Sequence, residues 1–116
     1  MAHRDWKSRI EDIIDSIHEI YQYTDGISYD EFVLMPNDKA VSYCLAIIGE
    51  AARHIPAEVR TRYPEIPWQV MGDMRNVMIH EYFGIDLNIV WETVCYDLSS
   101  LLPALQKLLQ SEHELC

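Results

Sequence analysis

Apolar residues recur along this chain at helical steps throughout. Ile10, Ile13, Ile14, Ile17 and Tyr21 predict a first helix from about Asp5 to Tyr23, broken by Gly26. Ile27 to Met35 reads as a short turn or irregular element ahead of Pro36. A second helix, from about Asn37 to His54, carries Val41, Leu45, Ile48, Ala52 and Ile55 at steps of four and three, a seam suited to bundle packing. Pro56, Pro64 and Pro67 make Ile55 to Pro67 a connector, with a short helical piece over Ala57 to Arg62. A third helix is predicted from Trp68 to Phe83, stopped at Gly84. Asp86 is placed to cap the last helix, which displays Val90, Val94, Leu98, Leu101, Leu105 and Leu108. Pro103 falls inside that helix and is expected to kink it. With no internal repeat or linker, the pattern predicts an all-α, up-and-down bundle of four to five helices forming one domain over residues 1–116.

Composition agrees with that reading. A chain of 116 residues with 49% hydrophobic positions and only four Gly and five Pro can bury a true core, which excludes collagen-like and disordered classes. The longest charge-free stretch, Ala40 to Gly49, has ten residues, about half of what a membrane span requires. The N-terminus, Met1-Ala-His-Arg-Asp-Trp-Lys, has no signal-peptide apolar region, so a cytoplasmic location is expected. Cys44, Cys95 and Cys116 form neither a CxxC nor a Cys/His cluster, and no metal, cofactor or disulfide framework is expected. Cys44 and Cys95 are expected as small core residues, and Cys116 as a terminal thiol.

Charge changes the picture more. Nineteen Asp and Glu against nine Lys and Arg give −10, a field that repels polyanions. Any polyanionic substrate must therefore be drawn to a local basic site or to a surface completed by a partner.

One segment of the predicted third helix departs from simple packing: Arg75-Asn76-Val77-Met78-Ile79-His80-Glu81-Tyr82. On a wheel of about 100° per residue with Arg75 at zero, Met74, Val77 and Met78 share the buried side. Tyr82, Arg75, Asn76 and His80 share the remaining face, and Glu81 stands out of place among the apolar residues, where it would pair with a cation from another helix. Arginine offers a permanently charged fork that matches two phosphate oxygens. Histidine can take and return a proton near neutral pH. Asn76 is an i,i+4 neighbour of His80, able to orient the imidazole or donate to an oxyanion. Such a set suits metal-independent RNA cleavage, in which His80 deprotonates a 2′-hydroxyl and Arg75 stabilises charge developing on phosphorus. Spacing alone is a weak signal and favours a solvated face with a histidine near the helix end. His3, His18, His54 and His113 read as surface residues.

The sequence resembles the HepT-like ribonuclease toxins of the HEPN superfamily, whose signature is Arg-x4-His followed by x-Tyr. Here these are Arg75, His80 and Tyr82, within the longer string from Ile66 to Asp86; Ile47-Ile-Gly-Glu-Ala-Ala52 and Val90-Trp91 also match. The resemblance implies an all-α bundle that dimerises, with the two motifs facing a shared cleft. It implies an endoribonuclease needing no metal, the toxin of a toxin–antitoxin pair. Its antitoxin would be a minimal nucleotidyltransferase that adenylylates Tyr82. Arg75, His80 and Asn76 would form the catalytic set, with Glu50 in support. Read from the residues, Glu50 is either a solvated or salt-bridged helix residue or an acceptor that orients Arg75. A separate reading is a non-catalytic helical module that reads a nucleotide and partners a nucleotidyltransferase. Dimerisation also has a geometric argument: on one helix Arg75 and His80 would stand about 140° apart and about 7.5 Å apart along the axis. Two copies about a two-fold axis can surround one phosphorus more easily than one helix can.

Overall fold

The computed structural model describes residues 5–34, 38–76 and 87–114, and every regular element among them is helical. Helix α1 (Trp6–Thr24) begins at Asp5, whose carboxylate accepts from the Lys7 backbone N–H at 3.3 Å. It ends before Gly26, where φ is +79°, a left-handed turn that glycine adopts without steric cost. Helix α2 (Tyr29–Leu34) replaces the expected irregular element. A reciprocal cap starts it: Ser28 N–H donates to Glu31 Oε1 at 2.9 Å, and Glu31 N–H donates to Ser28 Oγ at 3.2 Å. The Ser-x-x-Glu spacing that makes this cap was present in the sequence and predicts the helix start.

Helix α3 (Asp38–Arg53) and the short α4 (Ala57–Arg62) lie where the pattern put them. Helix α5 runs only from Trp68 to Asp73 and gives way to a turn at Met74 and Arg75, so the single third helix expected from Trp68 to Phe83 is interrupted. The expected stop at Gly84 and cap at Asp86 lie outside the described residues. The last stretch comprises α6 (Leu87–Glu92), a π-helical turn (Thr93–Asp97) and α7 (Leu98–Glu114). α7 passes through Pro103 without ending, and the departure from α geometry falls at the π turn, not at the proline. The apolar stripe explains that position. Val90, Val94 and Leu98 follow one another in steps of four, which in an α-helix would drift by about 40° each. The wider turn realigns them, and all three are buried. Cys95, one step past Val94, is carried outward and is exposed, contrary to the core position expected for it.

α1 packs chiefly on α3 and α7, and α3 on α5. The interior is Ile10, Ile13, Ile17 and Ile20 of α1 against Val41, Leu45 and Ile48 of α3 and Leu98, Leu101, Leu105 and Leu108 of α7. Buried Phe32 holds α2 to α6 by stacking on Trp91, ring centroids 5.0 Å apart. Cys44 is buried as expected, and its thiol donates to Glu19 Oε2 at 2.7 Å. Burial, joined by that hydrogen bond and the Glu19 charge, pushes the thiol pKa up to about 12. Among the described residues, no helix is long and apolar enough to cross a membrane.

A polar clasp ties the connector to the end of α7. Glu112, nearly buried, accepts from the Tyr63 hydroxyl at 2.6 Å and from Arg62 Nη2 at 2.8 Å. The Tyr63 hydrogen bond, followed by those to Arg62, holds the Glu112 carboxyl below its ordinary 4.5. The same bond raises the Tyr63 hydroxyl above its ordinary 10.0. Because the carboxyl value falls on folding, the clasp's stability is complete above the ordinary value and is lost as pH drops through the folded one. We therefore expect Glu112→Gln to lower the melting temperature at pH 7 and to lose that difference progressively as pH falls below the ordinary carboxylate range. Thermal unfolding of both proteins across pH 2.5–8 checks this; a constant difference would reject it.

Candidate active site

The geometry around Arg75 starts with a glycine. Gly49 lies on the face of α3 against which the chain turns after α5. A Cβ placed at Gly49 would sit 2.9 Å from both Arg75 Cβ and Gly72 O, and closer still to the Arg75 backbone nitrogen. Two backbones therefore touch here, and only glycine permits it. The turn itself is tight. Met74 N–H donates to Met71 O at 3.0 Å and Arg75 N–H to Gly72 O at 3.3 Å, both three residues back. Met74 points inward and is buried, while Arg75 and Asn76 are exposed.

Glu50, next along α3, meets the arginine so delivered. Arg75 Nε lies 3.3 Å from Glu50 Oε2, with both side chains about half exposed, at 49% and 50%. His54, one turn further on, places Nε2 3.2 Å from the other oxygen, Oε1. A carboxylate only accepts, so Nε2 carries the proton in this contact. The carboxylate is thus gripped from two sides, one oxygen each. Half-exposed ion pairs of this kind contribute about 0–1 kcal/mol, so their effect here is orientation. Arg53 reaches the same turn: its Nε donates to Gly72 O at 3.4 Å.

The structure thus brings Arg75 and Glu50 together and sets Asn76 beside them, whereas His80 and Tyr82 lie outside the described residues, as does Glu81. Sequence reading treated His54 only as a surface residue and did not single out Arg53. Their spacing from Glu50, i+4 and i+3, was the available signal, since both then share its helix face. A recess of about 210 Å³ lined by Tyr21, Asp25, Trp91 and Cys95, among others, shares no residue with this cluster. Among the described residues, no group of three or more His, Cys, Asp or Glu is placed to hold a metal ion.

A family model described as "Ribonuclease HepT-like" matches residues 13–108, nearly the whole helical stretch with Glu50, Arg75, His80 and Tyr82 inside it. The chain belongs to the HepT-like ribonuclease family. A relative named "Probable ribonuclease HepT" from Thermococcus cleftensis is 40% identical over 106 residues, covering 90% of this chain and 96% of its own. One named "Putative RNase MJ1216" from Methanocaldococcus jannaschii is 37% identical over 114 residues, 95% of this chain and 92% of its own. No solved structure matches at a significant level. For this HepT-like chain, the Gly49 contact makes a test with a definite sign. Alanine in a helix interior is ordinarily favoured over glycine by about 1 kcal/mol. Here the backbone of Gly72 and Arg75 would have to shift, an overpacking cost of about 1–3 kcal/mol. Gly49→Ala is expected to lower the urea midpoint and to misplace Arg75; a raised midpoint would mean that the two backbones do not meet.

Proposed function

We propose that this HepT-like protein is a metal-independent endoribonuclease acting as the toxin of a toxin–antitoxin pair. The observation that carries the reading is Arg75 presented on a turn, with its inner nitrogen held by Glu50. That leaves the outer edge of the guanidinium for a phosphate. In the proposed reaction the 2′-oxygen attacks the neighbouring phosphorus as His80 takes its proton, and the bond from phosphorus to the 5′-oxygen breaks. The products are a 2′,3′-cyclic phosphate and a 5′-hydroxyl, whose proton comes from protonated His80 or water. Arg75 stabilises the charge gathered on the phosphoryl oxygens, and Asn76 orients the imidazole or donates to the same oxygens. The acting form is a homodimer with its two motifs around one cleft.

The assay is cleavage of total RNA with chelator present. His80→Ala is expected to abolish it. Arg75→Lys is expected to lose at least tenfold, about 1.4 kcal/mol, because lysine keeps the charge and loses the fork. Cleavage by Arg75→Lys at the wild-type rate would remove the phosphate role, and a strict monomer in light scattering would remove the shared cleft. The net charge of −10 favours a second reading, a non-catalytic module that reads a nucleotide; it stands if wild type and His80→Ala are equally inert.

The proposed silencing reaction is transfer of an adenylyl group from ATP to the Tyr82 oxygen by a minimal nucleotidyltransferase, with pyrophosphate leaving. The new phosphodiester would pair with Arg75 and repel further anions. Tyr82→Phe removes the acceptor oxygen and keeps the ring. It should retain nuclease activity and escape silencing when the partner and ATP are added; covalent labelling and silencing of the Phe variant would place the switch elsewhere.

A further inference from the structure

Arg53 stands beside the site in a way its sequence position does not announce. It is exposed at the C-terminal end of α3, three residues after Glu50 and so on the same face. Its Nε donates to the Gly72 carbonyl at 3.4 Å, and that carbonyl also accepts the Arg75 backbone N–H at 3.3 Å. A Cβ at Gly72 would lie only 3.7 Å from both Arg53 Cγ and Nε, so the arginine stem lies across the glycine. Arg53 and Arg75 are thus held in the same manner. Each has its inner nitrogen fixed by an acceptor of the protein, Gly72 O for one and Glu50 Oε2 for the other. For each, the four Nη hydrogens form the outer edge, which is the geometry that grips phosphate. The charge distribution agrees. Residues 50–76 hold four acidic and four basic side chains, so the whole net charge of −10 resides elsewhere in the chain. This stretch thus adds no net negative charge of its own, even with Glu50 and Asp73 in it.

We propose that Arg53 is a second phosphate-binding arginine, taking the backbone phosphate next to the one at Arg75. This rests on the endoribonuclease reading and narrows it: the substrate is a strand presenting at least two consecutive phosphates. A dinucleoside monophosphate, with one phosphate, cannot use both arginines.

The test compares that one-phosphate substrate with a hexanucleotide spanning a site cleaved in total RNA. Wild type should prefer the hexamer by about tenfold or more in kcat/KM, the worth of one good charge-assisted contact. Arg53→Gln should narrow that preference several-fold, mainly through a raised KM for the hexamer. A second arm measures binding of an uncleavable 2′-O-methyl hexamer of mixed sequence, chosen independently of any cleavage site, by anisotropy between 50 and 200 mM salt. One lost phosphate contact should flatten the slope of log K against log salt by about 0.7. Arg53→Lys should recover the slope, which needs only charge, and not the full affinity, which needs the fork. If Arg53→Gln fails to fold, Arg53→Lys carries the test through its raised KM alone. Wild-type KM, length preference and salt slope in Arg53→Gln, or a wild-type KM in Arg53→Lys where it stands in, would overturn the proposal. If wild type binds the hexamer with a slope that Arg53→Gln flattens, yet cleaves no RNA, the nuclease reading falls and the Arg53 site stands. If wild type binds no hexamer, both fall.

Discussion

The contact between Gly49 and the turn at Gly72–Arg75 is the constraint on which the site depends. Elsewhere in this protein helices are held apart by side chains such as Ile13, Leu45 and Leu101. At Gly49 no side chain intervenes and two backbones meet, which fixes the turn relative to α3. Once the turn is fixed, the positions of Arg75, Glu50, Arg53 and Gly72 O follow together. The magnitudes support that order. Overpacking a site of this kind costs about 1–3 kcal/mol, whereas a half-exposed ion pair contributes about 0–1 kcal/mol. Backbone packing therefore delivers Arg75, and Glu50 with His54 sets how its guanidinium points.

The acidic charge is unevenly distributed along the chain. The balanced stretch 50–76 carries the arginines that face the turn, and the excess of acid lies outside it. Within that stretch Arg62 is committed to Glu112, a contact that ties the connector to α7. Trp68 adds a second tie, its indole N–H donating to the Tyr63 carbonyl at 3.0 Å. α5, which leads into the site, therefore starts from a connector tied to the end of α7 and braced within itself.

The HepT-like fold was legible in the sequence because a bundle is specified by repeated apolar spacing, a local property. Ile10 to Tyr21, Val41 to Ile55 and Val90 to Leu108 each declared a buried stripe; the last two are buried throughout, and in the first Ile10, Ile13 and Ile17 are buried while Ile14 and Tyr21 are partly covered. Even the π turn left a trace, in the two consecutive steps of four from Val90 to Leu98. The Arg-x4-His-x-Tyr string and the Gly-Glu-Ala block pointed to a chemistry through their resemblance to a known family, since spacing alone also permits a solvated face.

Contacts between segments distant in the chain were decided by the tertiary structure alone. Helical periodicity predicted a continuous helix through Arg75, because Gly72 alone between Trp68 and Phe83 weakens a helix and no proline breaks one. The turn there packs against the backbone of α3, a segment more than twenty residues away, and helical periodicity within either segment does not encode that contact. For the same reason Arg53 and His54 read as ordinary surface residues. Their meaning lies in a carbonyl and a carboxylate that reach them only once α3 and α5 have packed. The sequence by itself determined the long helices and their buried faces, and its resemblance to a known family supplied the candidate chemistry. The fold decided which cations stand together, because that depends on the distance between two backbones.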